Sequence, residues 1–298
     1  MPVMATGFAT ATTDGEHSSD VLRPEGSEPY WALISSGNVN WPLLIDFASV
    51  ALHDTATIGK AVQEAFYGTA PAYSYLFGGS TSGRQGHMLA QRYPQDYDGI
   101  VALFPAVNWV KFFFSSFWPT FVMDQMRTYP RPCEFNAITA AVISACDTLD
   151  GREDGIISRL DLCDFDPHDA VGKKIQYDGV EAIVSSAAAE VIQMAWDGPR
   201  SSTGEFQWYG FSKGTDSTQP LTGSIQVKYD KGDSCKAASN PVWARYWVKK
   251  DPSFDMRTII HQEWDDLVHT SINEYDSIIG TSDPNLSAFK RMGEKMVN

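Results

Sequence analysis

Apolar positions at Ile58, Ala61, Val62, Ala65 and Phe66 follow the spacing of one helix face, with Asp54 able to cap the start and Gly68 the end. A strand-like apolar run enters YSYLFGGSTSG, Tyr73 to Gly83. The segment from Arg84 to Tyr93 then predicts a second helix, stopped by Pro94. GIVALF, Gly99 to Phe104, is a continuous apolar run suited to a parallel strand buried on both faces. Helix, strand, tight turn, helix, strand is the order that builds a right-handed parallel α/β sheet, whose active site lies at the strand carboxyl ends. Further on, Trp109, Phe113, Phe117 and Phe121 recur every four residues with Phe114 and Trp118 beside them, which predicts a helix with a wide apolar face. The later segments are loop-rich, TGEFQWYGFSKGTDSTQPLTGS above all, and SIQVKYD at 224–230 is a strand candidate.

The turn between the first strand and its helix carries the chemistry. Ser80 is preceded by Gly78 and Gly79 and followed by Gly83. A nucleophile elbow needs small neighbours, because its serine sits in strained backbone on a sharp strand-to-helix turn. The usual spacing is G-x-S-x-G, whereas Ser82 holds the closing position here and glycine comes one residue later. The competing reading is an ordinary glycine-rich turn of an α/β protein.

Composition is compatible with an enzyme. A chain of 298 residues, 43% hydrophobic and 12% aromatic, can fill one large core or two smaller ones. A net charge of −14 argues against nucleic acid and against anionic membranes, both of which select basic surfaces. No run is long enough to span a bilayer. MPVMATGFATATTDGEH lacks the basic and apolar leader of a secretory signal and suggests a strand entered part-way into a domain.

SYLFGGSTSGRQGHMLAQRYPQDYDGIVALFPA resembles the elbow region of the tannase and feruloyl esterase family of serine esterases. GFATATTDGEH (7–17), CDTLDGREDGI (146–156), WDGPR (196–200) and EYDSIIGTSDPNLSAFK (274–290) are similar to family segments in the same order. The resemblance implies an α/β fold: a partial α/β-hydrolase core, a parallel sheet with a nucleophile elbow, and a large inserted lid domain. On it, residues 1–107 are the core portion, 108–284 the lid and 285–298 the return toward the core. It implies hydrolysis of phenolic acid esters, small-molecule substrates of feruloyl or galloyl type, by a secreted protein. Ser80 would be the nucleophile, and the amide of Thr81 an oxyanion donor.

A serine hydroxyl needs a histidine to take its proton and a carboxylate to hold that histidine, in the order Ser, Asp, His in this fold. The family carries both partners near its C-terminus. This chain stops at Asn298, and the family's glycine-rich oxyanion loop lies before its start, so the expectation is the middle of an esterase with little turnover of its own. The alternative is a non-catalytic, calcium-binding remnant. A replacement triad from His261, Asp265, Asp266 and His269 is disfavoured, since by resemblance HQEWDDLVH is a polar lid helix with surface acids. His87 is expected to pack along the elbow helix, not toward the hydroxyl. The family usually has Cys at position 79, linked by a disulfide to the Cys after its catalytic His; Gly79 removes that tie. The aromatic stripe is expected as a seam between core and lid, with the floor of a phenolic pocket as the alternative, and Trp196 as a packing residue.

Asp147 to Ile156 is rich in closely spaced oxygen side chains with glycine bends, which suits a hard cation. By resemblance the ligands of a structural Ca2+ are the carboxylates of Asp147, Asp150 and Asp154 and the carbonyls of Arg152 and Ile156. Without the family, an EF-hand-like loop could start at Asp150, but Arg152 then spoils a ligand position; a solvated acidic turn is the other possibility. Cys133, Cys146, Cys163 and Cys235 allow three pairings. Disulfides around the acidic loop are expected, Cys133 with Cys146 as the trial pair, against free buried thiols. The family often has Cys where Tyr177 stands, which would leave Cys163 without a partner. NLS at 285–287 is a glycosylation pattern if the protein is secreted.

Overall fold

The computed structural model of the protein describes residues 7–15, 31–177, 180–216, 218, 227–230, 234–237 and 241–298. In chain order the helices and strands are β1 Leu33–Ser35, β2 Asn38–Val39, α1 Trp41–Ile45, α2 Ala51–Tyr67, β3 Tyr75–Gly79, α3 Thr81–Arg92, β4 Gly99–Leu103, α4 Trp109–Met126, α5 Pro132–Cys146, β5 Lys174–Tyr177, β6 Val180–Ile183, α6 Ser186–Asp197, β7 Val227–Asp230, β8 Ser234–Ala237, α7 His261–Ile279, α8 Ser287–Met292 and β9 Lys295–Val297. The chain divides into two compact units. The first comprises Met1–Phe112, Val242–Pro252 and His269–Asn298; the second comprises Phe113–Pro241 and Ser253–Val268.

The first unit is built on a parallel sheet of order β3-β4-β9, with Tyr75 opposite Gly99 and Gly79 opposite Leu103. The expected α/β architecture with the serine turn at the end of a parallel strand is therefore present. One sheet face is packed: Leu76, Ile100 and Ala102 meet Ala90 of α3, Phe289 of α8 and Met296. The other face is open, with Tyr75 59%, Phe77 71% and Val297 61% exposed. β4 is thus buried on one face, not both as its apolar run suggested; Ile100 and Ala102 point inward while Leu103 is exposed. Burial on both faces needs a layer on each side, and the described residues supply one.

α2 begins three residues before Asp54. It continues from α1 through a π-helical turn at Asp46–Val50, so Asp54 lies in its first turn and caps nothing. Gly68 ends the helix as expected, in a left-handed conformation (φ 72°) with its N–H donating to the Glu64 carbonyl at 2.8 Å. The stripe of Ile58, Val62 and Phe66 faces solvent and Ala56 faces inward, so the periodicity found the helix but not its buried side. The strand expected at the chain start does not form within residues 7–15.

The aromatic stripe of α4 divides between two cores. Trp109 meets Phe47 at 5.7 Å and Trp243 at 6.2 Å, all in the first unit. In the second unit Phe114, Phe117 and Phe121 pack on the fully buried Trp264 at 5.4, 6.3 and 4.5 Å. The rings are thus core residues of each unit. Buried Glu134 organises two helix starts in the second unit, accepting from the N–H of Arg131 before α5 and of Ser185 before α6. β7 falls within the strand candidate, whose residues 224–226 lie outside the described residues.

The trial disulfide is corrected. Cys146 bonds Cys163, with Cα atoms 5.4 Å apart, and Cys133 is free. Cys133 and Cys146 sit near opposite ends of α5, so at 1.5 Å per residue they are roughly 20 Å apart, far beyond disulfide reach. The bond closes the ends of the acidic loop, and Trp196 packs beside it as expected. Burial pushes the Cys133 thiol above its ordinary range, and neighbouring Glu134 adds to this. With a sequence separation of 17, opening the bridge with Cys163→Ser should lower the unfolding free energy of the second unit by about 3 kcal/mol in urea titration; an unchanged midpoint would mean that packing alone closes the loop.

Candidate active site

Ser80 occupies the single residue between β3 and α3, with φ 56° and ψ −117°. An L residue avoids such backbone, and the strain is of order 1–3 kcal/mol. Three backbone hydrogen bonds of 3.0 Å hold it: the Ser80 N–H donates to the Leu103 carbonyl, and the Ser80 carbonyl accepts from the N–H groups of Arg84 and Ala106. At about 1 kcal/mol each, these bonds match the strain they oppose. The side chain is exposed at the carboxyl end of the parallel strands.

Each nearby glycine answers to a contact. A Cβ on Gly78 would lie 2.5 Å from the Cβ of Ser82 and 2.8 Å from its carbonyl, because the helix doubles back over the strand. A Cβ on Gly83 would meet the Leu103 carbonyl oxygen at 2.7 Å and the Cα of Pro105 at 2.9 Å, atoms of the next strand's end that cannot swing away. The departure from G-x-S-x-G is thereby explained: Ser82 faces solvent, and glycine is required at 83, where helix and strand cross. The Cβ site of Gly79 is filled by the exposed Phe104 ring at 2.7 Å, so the ring stands where the family's usual Cys side chain would begin.

Thr81 is the first residue of α3, and its N–H is among the donors that a helix cannot satisfy internally. Among the described residues no imidazole is hydrogen-bonded to Ser80. His87 is half-buried and its Nε2 lies 3.3 Å from the Asn298 side-chain oxygen, not on the Ser80 hydroxyl. His53 and Asp96, a pair the sequence reading missed, meet at 2.8 Å with the His53 ring stacked on Tyr93. That pair lies past the far end of α3, roughly 20 Å along the helix axis from Ser80, too far to take its proton.

In the second unit His261 and Asp265 are not a relay. Asp265 is buried, not a surface acid; it accepts from the N–H and Oγ of Ser202 at 2.9 and 2.6 Å and from Gln207 Nε2 at 2.7 Å. His261 lies against Trp118 and Phe121, with Nε2 2.9 Å from the Arg200 carbonyl. Both residues tie the 200–207 loop to α7.

Buried Arg84, in the first turn of α3, was not singled out from sequence. It has no exposed surface, and its guanidinium donates to the carbonyls of Ala48 and Phe47 at 3.2 and 3.3 Å. The Phe47 and Trp109 rings lie 5.7 and 5.5 Å from its centre. Burial pushes its pKa down to about 9, helped by repulsion from Arg92, which leaves it charged at neutral pH.

In the acidic loop, Asp147 accepts from the N–H groups of Asp154 and Gly155, Asp150 from that of Arg152, and Asp154 from that of Ile156. Gly151 and Gly155 make the bends with φ 89° and 79°. Asp147 is buried, and among the described residues no basic side chain pairs with it. A buried carboxylate with only amide partners, in a loop whose other donors are all oxygens, fits a hard cation in chemistry. The three carboxylates are not gathered into one group: among the described residues no three His, Cys, Asp or Glu side chains form a metal-holding cluster.

The family model for tannase and feruloyl esterase matches residues 2–298. The chain belongs to this family. It is 39% identical over 297 residues to a probable feruloyl esterase of Arthroderma benhamiae, covering 100% of this chain and 54% of the relative. It is 26% identical to a tannase of Aspergillus oryzae, covering 89% and 52%. Its structure is similar to the tannin acyl hydrolase from Aspergillus niger, with a TM-score of 0.80 at 25% identity over 89% of this chain and 50% of that one. Feruloyl esterase B from Aspergillus oryzae gives 0.67 at 26% identity over 85% and 48%. The chain therefore spans about half the length of the curated relatives it matches.

Gly83→Ala should force helix and strand apart at the serine turn, lowering stability by about 1–3 kcal/mol. Ser82→Gly, at an exposed position, should cost about 1 kcal/mol or less. Equal losses in urea titration would contradict the assignment of the crossing to Gly83.

Proposed function

We propose that the protein is a carboxylic ester hydrolase part whose Ser80 attacks the carbonyl of phenolic acid esters of feruloyl or galloyl type. The observation that carries this reading is the positive φ of a non-glycine residue between a parallel strand and its helix, in a chain of the tannase and feruloyl esterase family. In the proposed step the Ser80 Oγ bonds to the ester carbon, the carbonyl π electrons move onto oxygen, and the Thr81 N–H donates to that oxyanion. Collapse re-forms the carbonyl and breaks its bond to the alcohol oxygen, and the proton released from the Ser80 Oγ passes through solvent water to that departing oxygen. The acyl-Ser80 left behind is hydrolysed by a second water.

The proton of Ser80 needs an acceptor, and no described histidine bonds to it. We therefore propose that residues 1–298 alone react slowly, on the order of a thousandfold or more below a complete triad. Secretion is proposed on the same family grounds; among the described residues no helix is long and apolar enough to cross a membrane. Prolonged incubation with a fluorophosphonate should place one adduct on the Ser80 peptide, read by mass spectrometry, and slow cleavage of methyl ferulate or methyl gallate should vanish in Ser80→Ala. An adduct on another residue, no adduct, or hydrolysis unchanged in Ser80→Ala would overturn the assignment.

For the acidic loop we propose a structural Ca2+ whose binding would draw together the carboxylates of Asp147, Asp150 and Asp154, which stand apart in this structure, with the carbonyls of Arg152 and Ile156 as the further ligands. The ion would neutralise the buried Asp147 charge and brace the loop that the Cys146–Cys163 bridge closes. Calcium should raise the melting temperature over that in chelator by several degrees, and Asp150→Asn with Asp154→Asn should abolish the rise. Identical melting with and without calcium would reject the ion and leave Asp147 as a loop-amide acceptor.

A further inference from the structure

Arg84 is a fully buried cation that no described carboxylate neutralises, and its Nε has no partner among the described residues. Removing a charge from water costs several kcal/mol, so a side chain that served only to fill space would be better apolar. Its environment is specific to a planar guanidinium. Two aromatic rings flank it, and its two terminal nitrogens reach two successive carbonyls, Phe47 and Ala48, within the π-helical turn Asp46–Val50. A π-helical turn displaces carbonyls from the regular ladder, and a forked donor can gather them. The same residue's backbone N–H bonds the carbonyl of strained Ser80.

We propose that Arg84 is the positioning residue of the nucleophile turn: by clamping the 46–50 turn from within the first turn of α3, it fixes the amide that holds Ser80 in its positive-φ conformation. The guanidinium itself does not touch the reacting atoms; it acts through the helix. This deepens the reading of Ser80 as nucleophile, but the structural half of the claim is independent of it.

The test uses the whole chain with Arg84→Lys and Arg84→Met. Hydrogen exchange of a peptide spanning 76–84 should accelerate about tenfold or more in Arg84→Met while α6 keeps its protection. Lys keeps the charge but offers a single ammonium in place of the planar fork that sets one nitrogen on each carbonyl and lies between the two rings, so Arg84→Lys should recover only part of the protection. In the fluorophosphonate reaction the limiting rate should fall about tenfold or more in Arg84→Met, with partial rescue by Lys and an unchanged half-saturating probe concentration. Should Arg84→Met unfold the first unit, the Lys variant decides. Elbow exchange in Arg84→Lys equal to the parent overturns the proposal, as does an Arg84→Met elbow as protected as the parent's. Accelerated elbow exchange without any labelling of the parent supports the positioning role and sinks only the nucleophile reading.

Discussion

Ser80 stands in a backbone conformation that an L residue avoids, and three backbone hydrogen bonds keep it there. Everything nearby follows from that constraint. Gly78 is required because the helix folds back over the strand at Ser82, and glycine must recur at 83, where the helix crosses the end of β4. The Leu103 carbonyl and the Ala106 amide, which flank the turn after β4, belong to the same grip, so the second parallel strand positions the serine as much as the first does. The strain and the bonds are each of a few kcal/mol, so the turn persists only while its neighbours are in place.

The same logic governs the buried charges. Arg84 and Asp147 are both sequestered without an ion partner among the described residues, and each is surrounded by backbone dipoles instead: carbonyls for the cation, amides for the anion. Backbone groups are fixed by the fold, so a charge bonded to them ties side chain to chain path. Arg84 links α3 to the π-helical turn, and Asp147 draws the loop through Gly155 back onto the end of α5. Asp265 does similar work in the second unit, where it binds Ser202 and Gln207.

Much of this was legible in the letters. The strand, serine turn, helix and strand between positions 73 and 104 follow from periodicity and glycine placement, because local steric demands are written in adjacent residues. What escaped depends on distant residues. The solvent-facing stripe of α2 could not be told from a buried one, since spacing marks a helix face but not which side is covered. The division of the α4 rings between two cores depends on Trp243 and Trp264, more than a hundred positions later. Cys146 was paired with the wrong partner because sequence separation says nothing of helix length until the helix is seen. Arg84 was overlooked because a charged residue near a helix start is ordinarily solvated.

The central claim is that residue 80 has positive φ. The most direct measurement is the intraresidue amide-to-Hα nuclear Overhauser effect in protein labelled at serine with nitrogen-15. The account expects a strong effect at Ser80, the signature of the short amide-to-Hα distance at positive φ. A weak effect, typical of helical or extended backbone, would contradict it and remove the strained nucleophile turn on which the functional reading stands.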